Sequence, residues 1–275
     1  MTDSDVYRVL GLMSGTSLDG LDLAYCHFFL DQGNWRFELK EARTVNYELD
    51  WKHRLRQAPE LNAQEIHLLD IAYAQWLAQQ VSEFKQDFDL AIDFVASHGH
   101  TIFHQPGRQM TLQIGAGWVL ALETQISVIA NFRVMDVALG GQGAPLVPIG
   151  DHHLFSDYDC CLNLGGIANM SFLKEGQRKA YDICPLNMAL NFLAKILNFE
   201  YDKNGEISRQ GTVQNELLIQ LNQLSYYQES FPKSLSWEWF SKGFLPTLNA
   251  FSAPIPDKLA TCVEHFSEQI SRELN

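Results

Sequence analysis

The sequence predicts an α/β protein built as two lobes. Two segments carry that prediction. In the first, Val9-Leu10-Gly11-Leu12-Met13 runs into the polar stretch Ser14-Gly15-Thr16-Ser17-Leu18-Asp19-Gly20 and then into Leu21-Asp22-Leu23-Ala24, a strand, turn and strand. In the second, Cys160-Cys161-Leu162-Asn163-Leu164 meets Gly165-Gly166 and continues as Ile167-Ala168-Asn169-Met170-Ser171-Phe172-Leu173, the same design far along the chain. Apolar positions at helical spacing between and after these hairpins supply the α component.

The first lobe is expected over residues 1–156, with the hairpin followed by a third strand near Trp35 to Val45. Ala63 to Gln86 carries Ile66, Leu69, Tyr73, Trp76, Val81 and Phe84 near helical spacing, and Asn62 precedes it as an N-cap. Leu90 to Ser97 reads as a buried strand delivering Ser97-His98-Gly99-His100-Thr101 to a loop at its carboxyl end, where ligands of α/β sheets sit. A helix from Ala116 to Thr124, a strand from Ser127 to Ala130 and a glycine and proline crossing from Gly140 to Pro148 follow. The second lobe, residues 157–275, is expected to hold the second hairpin and helices over Asn187 to Leu197, Thr212 to Leu224 and Asp257 to Leu274.

Composition narrows the function classes. A chain of 275 residues with 46% hydrophobic and 19% charged residues resembles an ordinary globular protein. Its net charge of -13, without basic runs or a basic amphipathic helix, argues against nucleic-acid and membrane-surface partners. Cysteines 26, 160, 161, 184 and 262 form no C-x-x-C pair, and an odd count suits free thiols in a reducing compartment. The acidic start of the chain shows no leader, and no apolar run approaches a membrane span; the expectation is a cytoplasmic protein.

Several residues have chemistry to offer. In the first turn, Gly15 and Gly20 permit positive φ and close backbone approach, and Ser14, Thr16 and Ser17 add hydroxyls. Such a turn grips a phosphate, and Asp19 and Asp22 are the residue type that holds a hard cation beside it; an ordinary polar hairpin has the same composition. No segment fits G-x-x-x-x-G-K-[ST] or a strand followed by G-x-G-x-x-G, which disfavours P-loop and Rossmann sites. Asp182 follows a short strand and precedes a helix, the place of a helix cap. His98, His100 and His104, with His152 and His153, lack the carboxylate or cysteine pattern that completes a metal site. Lys233 reads as a solvent-facing lysine. Tyr226, Tyr227, Phe231, Trp237, Trp239 and Phe240 read as core or a subunit contact.

Seven segments in order, Gly11 to Ala24, Ala96 to Pro106, Thr111 to Gly115, Asn131 to Asp136, Gly140 to Pro148, Asn163 to Asn169 and Pro232 to Ser234, resemble the anhydro-N-acetylmuramic acid kinases, a branch of the actin-like ATPases and sugar kinases. The resemblance implies a two-lobed actin-like fold with a cleft between lobes, and ATP and Mg2+ as cofactors. It assigns Gly11, Ser14, Gly15, Thr16, Ser17, Asp19 and Gly20, together with Asn163, Gly165 and Gly166, to the nucleotide phosphates, and Asp19 and Asp22 to magnesium. His98, Gly99, Thr101, Gln113, Arg133 and Asp136 would line the sugar pocket, with Arg133 pairing the lactyl carboxylate; an ordinary ion pair is the other reading of Arg133.

By the same resemblance Asp182 is the general base that activates water against the anomeric carbon while the released 6-hydroxyl takes the γ-phosphoryl group, giving N-acetylmuramic acid 6-phosphate in cell-wall recycling. The chain departs from the family's D-T-G-P-G-N at Ile183, Cys184 and Leu186, and Asn131 stands where the family has aspartate. The strand, glycine-rich turn and further acidic residue that follow in the family are expected to be missing, leaving the second lobe incomplete. A noncatalytic paralogue that binds muropeptide sugar is the alternative, and a homodimer is expected by resemblance alone.

Overall fold

The computed structural model describes residues 6–15, 18–230, 233–235 and 237–274. Its contacts divide the chain into two compact units, Met1–Leu154 and Phe155–Asn275. The α/β expectation holds in both.

In the first unit β1 (Val6–Ser14), β2 (Gly20–Asp31) and β3 (Asn34–Asn46) form an antiparallel meander. Helices α1 (Leu49–Gln57) and α2 (Ala63–Asp87) then lead to β4 (Phe94–Gln105), which lies parallel to β1. The far half of β4 pairs antiparallel with β5 (Met110–Ile114), and α3 (Gly117–Thr124) returns the chain to β6 (Ser127–Ile129), parallel to the near half of β4. The core follows from strand alternation. Leu10 and Leu12 of β1 and Leu21, Leu23 and Tyr25 of β2 share one cluster with Leu69, Tyr73, Leu77, Val81 and Phe84 of α2. Each such large side chain contributes about 1.5–3 kcal/mol on burial.

Asn62 starts α2 as expected. Its Oδ1 accepts the amides of Gln64 and Glu65 at 3.0 Å, and Glu65 Oε2 accepts the Asn62 amide, completing a capping box.

The strand expected at Leu90 to Ser97 begins at Phe94 and continues to Gln105, so His98 to Thr101 lie inside it rather than in a loop beyond it. The reason is a change of partner: pairing with β1 ends at Ser14 opposite His100, where pairing with β5 begins. Gly99, at φ +70°, takes up the register shift, and a Cβ there would stand 2.4 Å from the Ile114 carbonyl oxygen.

In the first unit α1, α4 (Val134–Ala138) and α5 (Val147–Leu154) are helices beyond those expected. The Gly140 to Pro148 run, expected as an interlobe crossing, leads from α4 into the start of α5 and lies within the first unit.

The second unit opens with an antiparallel meander, β7 (Cys160–Leu164), β8 (Ile167–Lys174) and β9 (Gln177–Pro185), followed by α6 (Asn187–Ile196) and α7 (Asn215–Asn222). The helix expected from Thr212 starts later because the amides before it are taken elsewhere: Thr212 N donates to Asp257 Oδ1 at 3.0 Å and Gln214 N to Thr261 Oγ1 at 2.9 Å. Helices α8 (Trp237–Trp239) and α9 (Leu245–Ala250) flank a π-helical turn at Phe240–Phe244, and α10 (Ile255–Leu274) closes the unit. Its Leu259, Cys262 and Phe266 join Ile183, Cys184, Leu193, Phe240 and Phe244 in one core. Tyr226, Tyr227, Trp239 and Phe240 therefore serve as core; Phe231 lies outside the described residues.

Candidate active site

The first hairpin is a strand pair in register from Val6 opposite Phe29 to Ser14 opposite Leu21. Thr16 and Ser17 lie outside the described residues. Positive φ falls on Leu18, at 60°, whereas Gly20 is extended in β2, where a Cβ would stand 2.5 Å from the Val45 carbonyl oxygen. Gly20 is thus required by the neighbouring strand. Ser14 faces the interior. Its Oγ is 2.7 Å from Tyr47 Oη and 2.8 Å from His100 Nδ1, so its hydroxyl is engaged inside the sheet. Gly11 faces the opposite side of β1, with only the Ala24 carbonyl near a would-be Cβ.

Asp19 and Asp22 are both exposed, and Asp22 Oδ1 accepts the Thr44 hydroxyl at 2.6 Å, its second oxygen having no partner among the described residues. Two exposed carboxylates fit magnesium, which keeps several waters and binds through one or two carboxylates plus phosphate oxygens. No group of three His, Cys, Asp or Glu side chains that suits a metal occurs among the described residues.

The residues expected around the sugar converge in the first unit. Arg133, just before α4, donates from Nε to His98 Nε2 at 3.0 Å and from Nη1 to the Gly143 carbonyl at 2.6 Å. His98 is therefore the Nδ1–H tautomer, donating to the Gly99 carbonyl at 2.9 Å. Burial holds the His98 pKa below its ordinary value, and the Arg133 charge adds to that. Among the described residues Arg133 has no carboxylate partner; the ion-pair reading finds no support, and a half-buried guanidinium is left with an unfilled edge.

Asp136 Oδ2 accepts the Gly143 amide at 2.6 Å, and its carboxylate fills the space where a Gly141 side chain would go. Asp136 thereby shapes the glycine loop that in turn holds Arg133. Thr101 and Gln113 are opposed across β4 and β5; Gln113 Nε2 donates to Thr111 Oγ1 at 2.8 Å and to Thr101 Oγ1 at 3.3 Å. Gln113 Oε1 is buried without a partner among the described residues, an acceptor open to a ligand hydroxyl or amide.

In the second unit Asp182 is not a helix cap. It lies within β9, and the first amides of α6 are capped by the second hairpin: Leu186 N and Met188 N donate to the Gly166 carbonyl at 2.9 and 3.0 Å, and Asn187 N to that of Gly165 at 3.3 Å. Asn163 is exposed on β7, and nothing lies near a would-be Cβ at Gly166. Among the described residues the Asp182 carboxylate accepts one amide, Leu235 N, at 2.8 Å onto Oδ2. Burial raises its pKa above the usual aspartate range, offset in part by that hydrogen bond. The departures Ile183 and Cys184 point into the core, 1% and 0% exposed, so they repack the interior rather than line a ligand surface.

A family model described as anhydro-N-acetylmuramic acid kinase matches residues 7–275. The chain belongs to the anhydro-N-acetylmuramic acid kinase family. Relatives of that name include one from Bacillus thuringiensis, 35% identical over 282 residues, which span 95% of this chain and 73% of the relative. Another, from Bacillus cereus, is 35% identical over 279 residues, 94% of this chain and 73% of its own length. Among solved structures a Ppx/GppA family member from Aquifex aeolicus aligns over 96% of this chain and 92% of its own, with a TM-score of 0.33 and 11% identity. A likeness of that size adds nothing to the assignment.

Around the residues that the anhydro-N-acetylmuramic acid kinase motifs mark, the structure adds others. Lys233, read as solvent-facing, is 5% exposed in its side chain and pairs with Glu273 Oε1 at 3.1 Å, its ammonium over the rings of Tyr226 and Tyr181. The Asp182 amide donates to the Lys233 carbonyl at 3.4 Å and Tyr226 Oη to the Asp182 carbonyl at 2.6 Å, so residues 233–235 and Tyr226 strap Asp182 in place. The buried contacts of His100 and Tyr47 with Ser14 were likewise not read from the sequence. A polar side chain on the inner face of a strand reads as an exception to alternation, and only its buried partners reveal what it does.

Proposed function

We propose that this chain is an ATP-dependent kinase that opens the 1,6-anhydro ring of anhydro-N-acetylmuramic acid with water and phosphorylates the freed 6-hydroxyl, giving N-acetylmuramic acid 6-phosphate and ADP. The observation that carries the reading is Asp182: a half-buried carboxylate held by one amide, with its second oxygen free of any partner among the described residues.

A carboxylate so placed positions a water and takes its proton. Water adds to the anomeric carbon as the bond from that carbon to O6 breaks, and the electron pair passes to O6. O6 then attacks the γ-phosphorus, and the pair of the breaking P–O bond leaves with ADP. The logic is that of an inverting glycosidase in which phosphoryl transfer replaces protonation of the leaving oxygen. Asp19 and Asp22 are the residues that would hold magnesium, which supplies charge neutralisation at the phosphates.

Arg133, fixed by His98 and Gly143, offers its open edge to the lactyl carboxylate, and Gln113 Oε1 offers an acceptor to a sugar donor. The phosphates are assigned to the turn amides around Gly15 and Gly20 and to the Gly165-Gly166 turn. Its free cysteines, and the absence of any helix long and apolar enough to cross a membrane among the described residues, are compatible with work in the cytoplasm.

Asp182→Asn tests the assignment. The amide oxygen still accepts Leu235 N, so the variant is expected to fold and bind sugar while turnover falls by about a thousandfold or more. Turnover within about tenfold of the unsubstituted protein would remove Asp182 as the base.

A further inference from the structure

The candidate base is held by residues far from it in sequence. Residues 233–235 form neither helix nor strand, and two hydrogen bonds among the described residues join them to β9. The Asp182 amide donates to the Lys233 carbonyl at 3.4 Å, and the Leu235 amide donates to Asp182 Oδ2 at 2.8 Å. With Oδ2 pinned in this way, the direction of the other carboxylate oxygen depends on where the 233–235 segment lies.

The Lys233 side chain anchors that segment. Its ammonium lies 5.1 Å and 5.6 Å from the ring centres of Tyr226 and Tyr181 and pairs with Glu273 Oε1 at 3.1 Å. Glu273 stands in the last turn of α10, which Leu259, Cys262 and Phe266 lock into the core of the second unit. The other carboxylate oxygen, Oε2, accepts the Tyr181 hydroxyl at 2.5 Å. Burial and the Glu273 carboxylate raise the Tyr181 pKa, which keeps that hydroxyl a donor. One carboxylate thus holds both Tyr181, the residue before the base, and Lys233, whose carbonyl accepts the amide of the base.

Stability alone does not call for this arrangement, because well-packed apolar side chains of similar volume do as well as a buried ion pair. Its particular property is geometric: two donors converging on the two oxygens of one carboxylate leave the group a single orientation. A base needs such fixing, since misplacing a reacting group by about 1 Å costs on the order of a hundredfold in rate.

We propose that Glu273 is a positioning residue for Asp182: gripping Tyr181 on β9 and Lys233 on the facing segment, it fixes the carboxylate of the base between them. The role rests on the kinase reading above, in which Asp182 is the base. Neither Glu273 nor Lys233 needs to touch a reacting atom; they set the direction in which Asp182 presents its open oxygen.

Two measurements test it on the intact chain. Glu273→Gln alone strands the buried Lys233 charge, which weakens the fold for reasons unrelated to the base. The informative protein therefore carries Lys233→Met and Glu273→Gln together, which removes both charges and keeps an acceptor for Tyr181. Amide hydrogen exchange in this double variant is expected to run about tenfold faster at Asp182 and Leu235 while the amides of α6 change by less than about threefold. Unchanged protection at Asp182 and Leu235 overturns the grip. In steady-state kinetics kcat is expected to fall about tenfold, with KM for sugar and for magnesium ATP changed by less than about threefold. Added to Asp182→Asn, the same two substitutions are expected to lower the residual turnover by less than about twofold, because no base remains to be positioned. A tenfold further loss on that background, or an unmoved kcat in the double variant, makes the pair merely structural and overturns the role. Absence of sugar phosphorylation by the unsubstituted protein fells the kinase reading and the role with it, whereas loosened amides with intact turnover fell the role alone.

Discussion

Asp182 and Arg133 carry the proposed chemistry, and each is held by neighbours that leave one edge open. Burial raises the Asp182 carboxyl above the ordinary aspartate pKa, and a base must be ionised to act. The acid limb of kcat/KM is therefore expected above the usual carboxylate range of about 3.9, with turnover lost as pH falls through that limb. A profile of kcat/KM flat down to about pH 4 would contradict this origin of the limb. At Arg133, Lys keeps the charge and gives up the fork that reaches His98 and Gly143 together. Arg133→Lys is expected to raise the sugar KM about tenfold or more and leave KM for ATP within about threefold, read by steady-state kinetics. Among these residues the sequence conveyed identity better than orientation. Asp182, Arg133 and Gln113 are legible as chemistry, but Ser14 points inward by strand alternation that its polar character disguises, and Lys233 is buried by tertiary packing that no local pattern announces.

The elements most legible in the sequence are those whose signals are local. Strand alternation and helical spacing gave β1, β2 and α2, and Asn62 gave the helix cap that Glu65 completes as a capping box in the structure. What escaped was set by partners distant in sequence. Strand β4 runs on through Gly99 because β5 takes over from β1 as its neighbour, and α7 starts late because Asp257 and Thr261 of α10 claim the preceding amides. Gly99 bears the consequence: at φ +70°, with the Ile114 carbonyl in the way, Gly99→Ala is expected to destabilise the fold by about 2 kcal/mol or more. The urea midpoint reads that loss, and a midpoint unchanged from the parent would contradict the bulge as described.

At the scale of the whole molecule, two interiors hold histidines away from protons. Burial lowers the His265 pKa to about 3, where Asn222 and Tyr227 hydrogen-bond its ring, and that of His100 to about 4. Unfolded, both take up a proton near the ordinary pKa of about 6.5. Their contribution to stability is complete above that value and is lost as pH falls toward 4 and then 3; Asp182, with a raised pKa, works in the opposite sense. Unfolding at about pH 5 is expected to take up on the order of two protons at these two rings, with His98 and His104, also lowered by burial, adding in the same sense, read from the slope of unfolding free energy against pH. A stability flat between about pH 7 and about pH 5 would contradict the buried neutral rings.

The central claim is a reaction, and the product reports on it most directly. Incubated with magnesium ATP and anhydro-N-acetylmuramic acid, the chain is predicted to yield a sugar heavier by one phosphoryl group and one water, with ADP in equal amount, by mass spectrometry. A phosphorylated sugar that retains its anhydro ring, or ATP consumed with the sugar unchanged, would contradict the account.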